Sequence, residues 1–167
     1  MTVLRELAPG DVDALQELIE SDPGYTERVT GYPPGAADAQ SLLMMRPDGV
    51  AEEAKKVLGL WEGEQLAAVV DLLRGYPNEH TAFIGLLEVH GRHRGRGLGA
   101  AAYRGIEEYV GREWAEVRTL RLAVVDTNAG EAQGFWECLG FEWTGEAKRY
   151  RYDKLESTAR LYEKSLC

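Results

Sequence analysis

The residues best suited to chemistry lie between Val89 and Gly99, where the chain reads Val-His-Gly-Arg-His-Arg-Gly-Arg-Gly-Leu-Gly. Arg92, Arg94 and Arg96 alternate here with Gly95, Gly97 and Gly99. Planar guanidinium groups bond phosphate oxygens two at a time, and glycines let an anion come close to the backbone. The apolar run from Thr81 to Val89 reads as a strand. From Leu98 on, Ala102, Ile106, Tyr109 and Val110 recur at helical spacing, so a helix runs from Leu98 to Gly111. A strand that empties through glycines into a helix N-terminus builds an anion site, because the first amides of the helix lack intrahelical acceptors and the macrodipole is positive there.

Three kinds of phosphate loop share those ingredients. A Walker loop requires a Gly-Lys-Ser/Thr ending, and this loop holds no lysine. A dinucleotide fingerprint is not excluded by pattern, since Ala100 stands at the permitted place after Gly95 and Gly97. Its context is wrong, however: that fingerprint opens its fold near the N-terminus, whereas this unit lies mid-chain.

The surrounding elements follow from periodicity and turn residues. Thr2–Leu7 reads as a strand, and Val12, Leu15, Leu18 and Ile19 form the apolar stripe of a helix. Ser21 to Gly35 contains Asp22-Pro23-Gly24 and Tyr32-Pro33-Pro34-Gly35, which read as turns, and Ala36–Met45 reads as a second helix. Lys56–Trp61 and Gln65–Arg74, joined by Glu62-Gly63-Glu64, form a hairpin, and Thr81–Val89 extends it to a meander. The continuous apolarity of these strands predicts cover on both faces. Leu120–Val125 is the next strand and forms a parallel crossover unit with Thr81–Val89. A helix ending at Leu139-Gly140-Phe141 follows, then strands at Phe141–Glu146 and Ala159–Lys164. The fold class is therefore α/β, a mixed sheet with an antiparallel N-terminal half, one parallel pair and helices on both faces.

A chain of 167 residues is expected to form one domain, residues 1–167, with a proper core. Its net charge of -9 argues against general affinity for nucleic acid or anionic membrane. Cys138 and the C-terminal Cys167 do not make a disulfide framework, and three scattered histidines lack metal-ligand spacing. With neither a basic leader nor a membrane-length apolar run, the expected setting is the reducing cytoplasm.

The loop resembles the acyl-CoA pyrophosphate loop of the GNAT superfamily of N-acyltransferases. The family's Gln/Arg-x-x-Gly-x-Gly/Ala pattern fits at Arg92/Gly95/Gly97 and again at Arg94/Gly97/Gly99. Two further stretches agree. Asn128 to Phe141, Asn-Ala-Gly-Glu-Ala-Gln-Gly-Phe-Trp-Glu-Cys-Leu-Gly-Phe, is similar to the family's Asn-x-x-Ala-x-x-Phe-Tyr-x-x-x-Gly-Phe helix, and Tyr162-Glu163-Lys164 closes the last strand in the family's manner. Two positions depart from the pattern. Asparagine stands one residue early, at 128, and the family's tyrosine after Phe135 is Trp136, whose indole N–H is not an acid near neutral pH.

The resemblance implies a GNAT acyl-CoA N-acyltransferase fold and transfer of acetyl from acetyl-CoA, without a metal, to a primary amine of a small molecule or peptide. A catalytically inactive CoA-binding module of the same fold is the alternative. Arg92, Arg94 and Arg96, with the backbone of Gly95, Gly97, Leu98, Gly99 and Ala100, would hold the cofactor phosphates. Leu87 and Val89 would pair with the pantetheine amides, and Asn128 and Phe135 would complete the cofactor wall. Glu88 is the leading general base, because it interrupts an apolar strand just before the loop and burial would raise its pKa. His90 is the second candidate. His80 and His93 read as surface residues, Trp136 as core or cofactor wall, and Cys138 as structural. Tyr150 and Tyr152 could reach the departing thiolate, or water could protonate it. Residues 21–50 and 144–158 would contact the acceptor, and a homodimer is a family-level expectation.

Overall fold

The computed structural model describes residues 4–166. Seven strands form one sheet: β1 (Arg5–Glu6), β2 (Lys55–Glu62), β3 (Gln65–Arg74), β4 (Thr81–Val89), β5 (Thr119–Val125), β6 (Glu142–Tyr152) and β7 (Leu155–Ser165). Their order is β1-β2-β3-β4-β5-β7-β6, and every neighbouring pair is antiparallel except β4 and β5. Five α-helices accompany it: α1 (Val12–Ser21), α2 (Pro23–Thr30), α3 (Asp38–Met44), α4 (Leu98–Glu113) and α5 (Ala129–Cys138). This is the mixed α/β architecture expected. The expected first strand is shorter than Thr2–Leu7, and its Thr2 and Val3 lie outside the described residues.

Both faces of the central strands are covered. Ala68, Val70 and Leu72 of β3 join Tyr103, Ile106 and Val110 of α4 in one core. Val69 turns the other way, to Leu15, Leu18 and Ile19 of α1 and Ala39 of α3. The hydrophobic effect therefore acts on both sides of the sheet, which is why these strands lack polar alternation.

Two expectations require correction. The segment read as turns from Ser21 to Gly35 contains α2. Asp22-Pro23 opens it, because proline at the first helical position loses only an amide that would be unpaired anyway, and Gly31 closes it at φ 82°. Strands β6 and β7 also run farther than Phe141–Glu146 and Ala159–Lys164. They form a long hairpin that turns at Asp153, whose φ is 50°. Most of β6 is exposed, so it carries no apolar pattern from which its length could be read.

A β-bulge in β4 decides which way Glu88 faces. Asp71 of β3 pairs with Leu86 and Leu72 with Ile84, which leaves Gly85 as the extra residue. Before it, Ala82 and Ile84 face the α4 core; after it, Leu87 and Val89 take over that face. Leu86 instead packs toward α1. The extra residue shifts the two-residue period by one and sends Glu88 to the face of the sheet that carries α1 and α2.

The loop after β4 is anchored to α1. The Gly91 amide donates to Ser21 Oγ at 2.9 Å, and a Cβ at Gly91 would run into the Ser21 carbonyl oxygen. Gly91→Ala must push loop and helix apart. The expected cost is about 1–3 kcal/mol, read as a Tm lower by about 2–10 °C.

Candidate active site

Strands β4 and β5 are paired only from Thr81 opposite Thr119 to Ile84 opposite Leu122. Beyond that point β4 stays with β3 and β5 stays with β7, so the two strands part. The edge of β4 from Gly85 to Val89 is left without a strand partner. A cleft of about 770 Å³ opens in this gap, lined by both strand ends, α2, the arginine–glycine loop, the start of α4 and one face of α5.

On the α4 side the cleft has the features that can hold an anion. Gly97 occupies the N-cap with φ 76°, a conformation open to glycine at little cost, and no side chain caps the helix. The first intrahelical bond runs from the Ala101 amide to the Gly97 carbonyl at 3.0 Å, which leaves the amides of Leu98, Gly99 and Ala100 free of helical acceptors. The first turn of this 16-residue helix contains no acid. Gly99 lies against Phe135: a Cβ on it would stand 3.0 Å from the ring.

On the α2 side the cleft holds a buried carboxyl. Glu88 is only 5% exposed, and its Oε2 has no hydrogen-bond partner. Burial pushes its pKa up to about 8; the Asp22 carboxylate adds to the rise, while Arg94 and Arg28 oppose it. Tyr25 stands in the same group, and burial, with Glu88 next in size, raises its pKa. Tyr150 donates to the Val29 carbonyl at 2.5 Å, and burial raises its pKa as well.

The cleft gathers most of the residues singled out from sequence. Leu87, Glu88, Val89, Arg94, Gly95 and Gly97 line it, as do Leu98, Gly99, Ala100, Asn128 and Phe135. Arg94 is held by Asp22 at 2.6 Å. Three candidates lie outside the lining. Arg96 pairs with Glu62 at 3.1 Å and donates to His93 Nδ1 at 2.6 Å, and Arg92 is exposed on the loop. His90 is 2% exposed and sits among α1 and β3 residues. Its Nε2 meets Glu17 at 2.9 Å, while its Nδ1 accepts from the Arg92 amide at 3.0 Å. The bonding assigns the proton to Nε2 and leaves no free lone pair for a base.

The other expectations divide. Trp136 is buried, edge-on to Tyr103, Phe135 and Phe141, and borders the cleft. Tyr152 is half exposed and away from the cleft, as is His80, whereas His93 lines it and bonds Gln65 at 2.6 Å. Cys138, expected to be structural, is exposed. Asp22, Tyr25 and Arg28 escaped notice as site residues because α2 did. The available signal was Pro23 as a helix start, which puts Tyr25, Arg28 and Val29 at i, i+3 and i+4 on one face.

Solved structures of the same architecture have low sequence identity. An acetyltransferase from Thermus thermophilus superposes with a TM-score of 0.71 at 24% identity, over 99% of this chain and 97% of that one. A probable acetyltransferase from Staphylococcus epidermidis gives 0.75 at 17%, over 100% of both chains. The ribosomal-protein-S18-alanine N-acetyltransferase from Escherichia coli gives 0.67 at 20%, over 99% and 94%. At such identities the likeness is one of fold. No curated protein matches the chain in sequence. The family model described as the acetyltransferase (GNAT) family matches residues 13–141, which takes in α1, the splayed strands, the arginine–glycine loop and α5, and the chain belongs to that family.

Proposed function

We propose that the protein is an acetyl-CoA-dependent N-acetyltransferase that acts on a primary amine by direct attack. The observation that carries the reading is Glu88, a buried carboxyl with an unpartnered oxygen, set across one cleft from an uncapped glycine helix start. The second feature fits a nucleotide pyrophosphate: the open amides of Leu98, Gly99 and Ala100, the positive end of α4 and Arg94 are all suited to phosphate oxygens. Arg92 and Arg96 serve this reading as the outer, solvent-facing cations of the loop. The unpaired edge of β4 at Leu87 and Val89 suits the amides of the pantetheine arm, which would add to it as a strand does. Asn128 and Phe135 form the opposite wall.

The cosubstrate supplies an activated thioester. A backbone N–H near Val89 polarises its carbonyl. Glu88, as carboxylate, takes the proton that the acceptor ammonium must lose, so that a neutral amine attacks. The amine nitrogen forms the new C–N bond and sheds its second proton to solvent, the C–S bond breaks, and the thiolate leaves. Tyr25 and Tyr150 both hold their protons more tightly than an ordinary phenol. Both are weaker acids than a thiol of ordinary pKa, about 8.5, so they serve as hydrogen-bond donors to the departing sulfur, which leaves as the thiolate and is protonated in bulk solvent. Tyr25→Phe is accordingly expected to lower kcat by no more than about tenfold, the worth of one hydrogen bond of roughly 1.4 kcal/mol.

The test is release of free thiol from acetyl-CoA in the presence of a panel of primary amines. Trp136 at the family's tyrosine position favours a second reading, a CoA-binding module without turnover. Acetyl-CoA binding with no thiol release across the panel would select it.

A further inference from the structure

Acyl transfer as derived above does not use Arg28, yet this side chain lines the cleft beside Glu88 and Tyr25. The residue is held at side chain and main chain. Its Nε donates to Asn128 Oδ1 at 2.7 Å, and its carbonyl accepts from Thr127 Oγ1 at 2.6 Å. Both partners are neutral, so neither offsets its charge. Among the described residues no carboxylate comes within ion-pair distance of its guanidinium, and its two terminal nitrogens make no hydrogen bond to the protein. Arg94 and Arg121 differ: each is matched by an acid at 2.6 Å. The head of Arg28 also packs over Gly24, where a Cβ would stand 2.9 Å from Nη1, so glycine at 24 leaves it room.

A half-buried arginine with no carboxylate in direct contact is costly unless the ligand supplies one. Its free edge has the geometry for a bidentate carboxylate. The same cleft carries the unpartnered oxygen of Glu88, which suits an ammonium or amine. The complement of a positive fork and a base in one small cleft is a molecule that carries an anion and an amine together. A polyamine or other polycation would meet the fork with like charge, and the α-amine of a peptide stands beside an amide in place of the α-carboxylate.

We propose that the acceptor is a small amine bearing its own carboxylate, a free amino acid, with Arg28 gripping the carboxylate while Glu88 faces the amine. The inference rests on the acetyltransferase reading and narrows it. Thiol release is measured for the full chain with acetyl-CoA and the common L-amino acids. Matched analogues that lack the carboxylate charge are run beside them: leucine with isopentylamine and leucinamide, phenylalanine with phenethylamine and phenylalaninamide. The best amino acid is expected to exceed its analogues in kcat/KM by on the order of 100-fold or more, because a site built for a polar group rejects a ligand without it. Arg28→Met collapses that ratio toward one through a rise in KM for the amino acid, and Arg28→Lys restores part of it. Equal or better use of the uncharged analogues overturns the proposal, as does an Arg28→Met ratio equal to wild type, the result for a residue that only ties α2 to α5. A melt with acetyl-CoA separates the two levels. A thermal shift without amino-acid acetylation overturns this inference alone; no shift removes the acetyltransferase reading and the inference with it.

Discussion

Glu88→Gln is expected to lower kcat for amine acetylation by about 10²–10⁴-fold, the usual worth of a general base, and to leave the acetyl-CoA-induced rise in Tm in place. Glutamine keeps the shape of the side chain and removes its ability to take a proton. A pH profile gives the expectation a signature that packing damage would not produce. Because burial pushes the Glu88 carboxyl up to about 8, the basic form becomes the major one only above that pH. Wild-type kcat/KM should rise with pH through about 8, and the variant's residual rate should lack that limb. Stability moves in the opposite sense. The carboxyl binds its proton more tightly in the folded state than at its ordinary value of 4.5, so the unfolded chain ionises first as pH rises. Folding therefore loses stability between pH 4.5 and about 8, and none further from this group above that range. Glu88→Gln has no such loss, and its Tm advantage over wild type should widen across that window. A variant that loses activity with an unchanged pH profile, or melts below wild type at a pH above that window, would point to a structural carboxyl instead.

Acetyl-CoA at about 100 times its dissociation constant should stabilise the wild type by roughly 2.7 kcal/mol, which for a chain of this size is a rise in Tm on the order of 5–10 °C. NAD and ATP should give none. Gly97→Trp is expected to abolish the rise. The N-cap φ of 76° is one that residues with a Cβ rarely adopt, and an indole there would cover the amides of Leu98, Gly99 and Ala100 that make the proposed anion site. The strain alone is worth about 1–2 kcal/mol, so the variant should melt lower than wild type without ligand as well. Binding and strain separate in the comparison. A lower melt that still rises with acetyl-CoA would mean that the pyrophosphate is held elsewhere.

The candidate anion site was legible in the amino-acid sequence because every part of it is local. Gly95, Gly97 and Gly99, the interleaved arginines and the helical period from Leu98 lie within one stretch of chain, and helix-start physics needs nothing from outside it. The buried meander and the parallel unit were legible for a similar reason, since apolar runs and turn residues mark them directly. Other features depended on distant parts of the chain. A period of two carried through β4 would set Glu88 on the face of Ile84; the bulge at Gly85, defined only by pairing with β3, turns it to the α2 side. His90 shares the loop with the arginines, yet Glu17, 73 positions away in sequence, takes up its ring. Arg28 gains its place from Asn128, 100 positions away, and α2 itself was hidden because Asp-Pro-Gly opens helices and turns alike. Sequence by itself determined which backbone can hold an anion. Tertiary structure decided which side chains face it, because burial and pairing are properties of neighbours that the chain brings together only when folded.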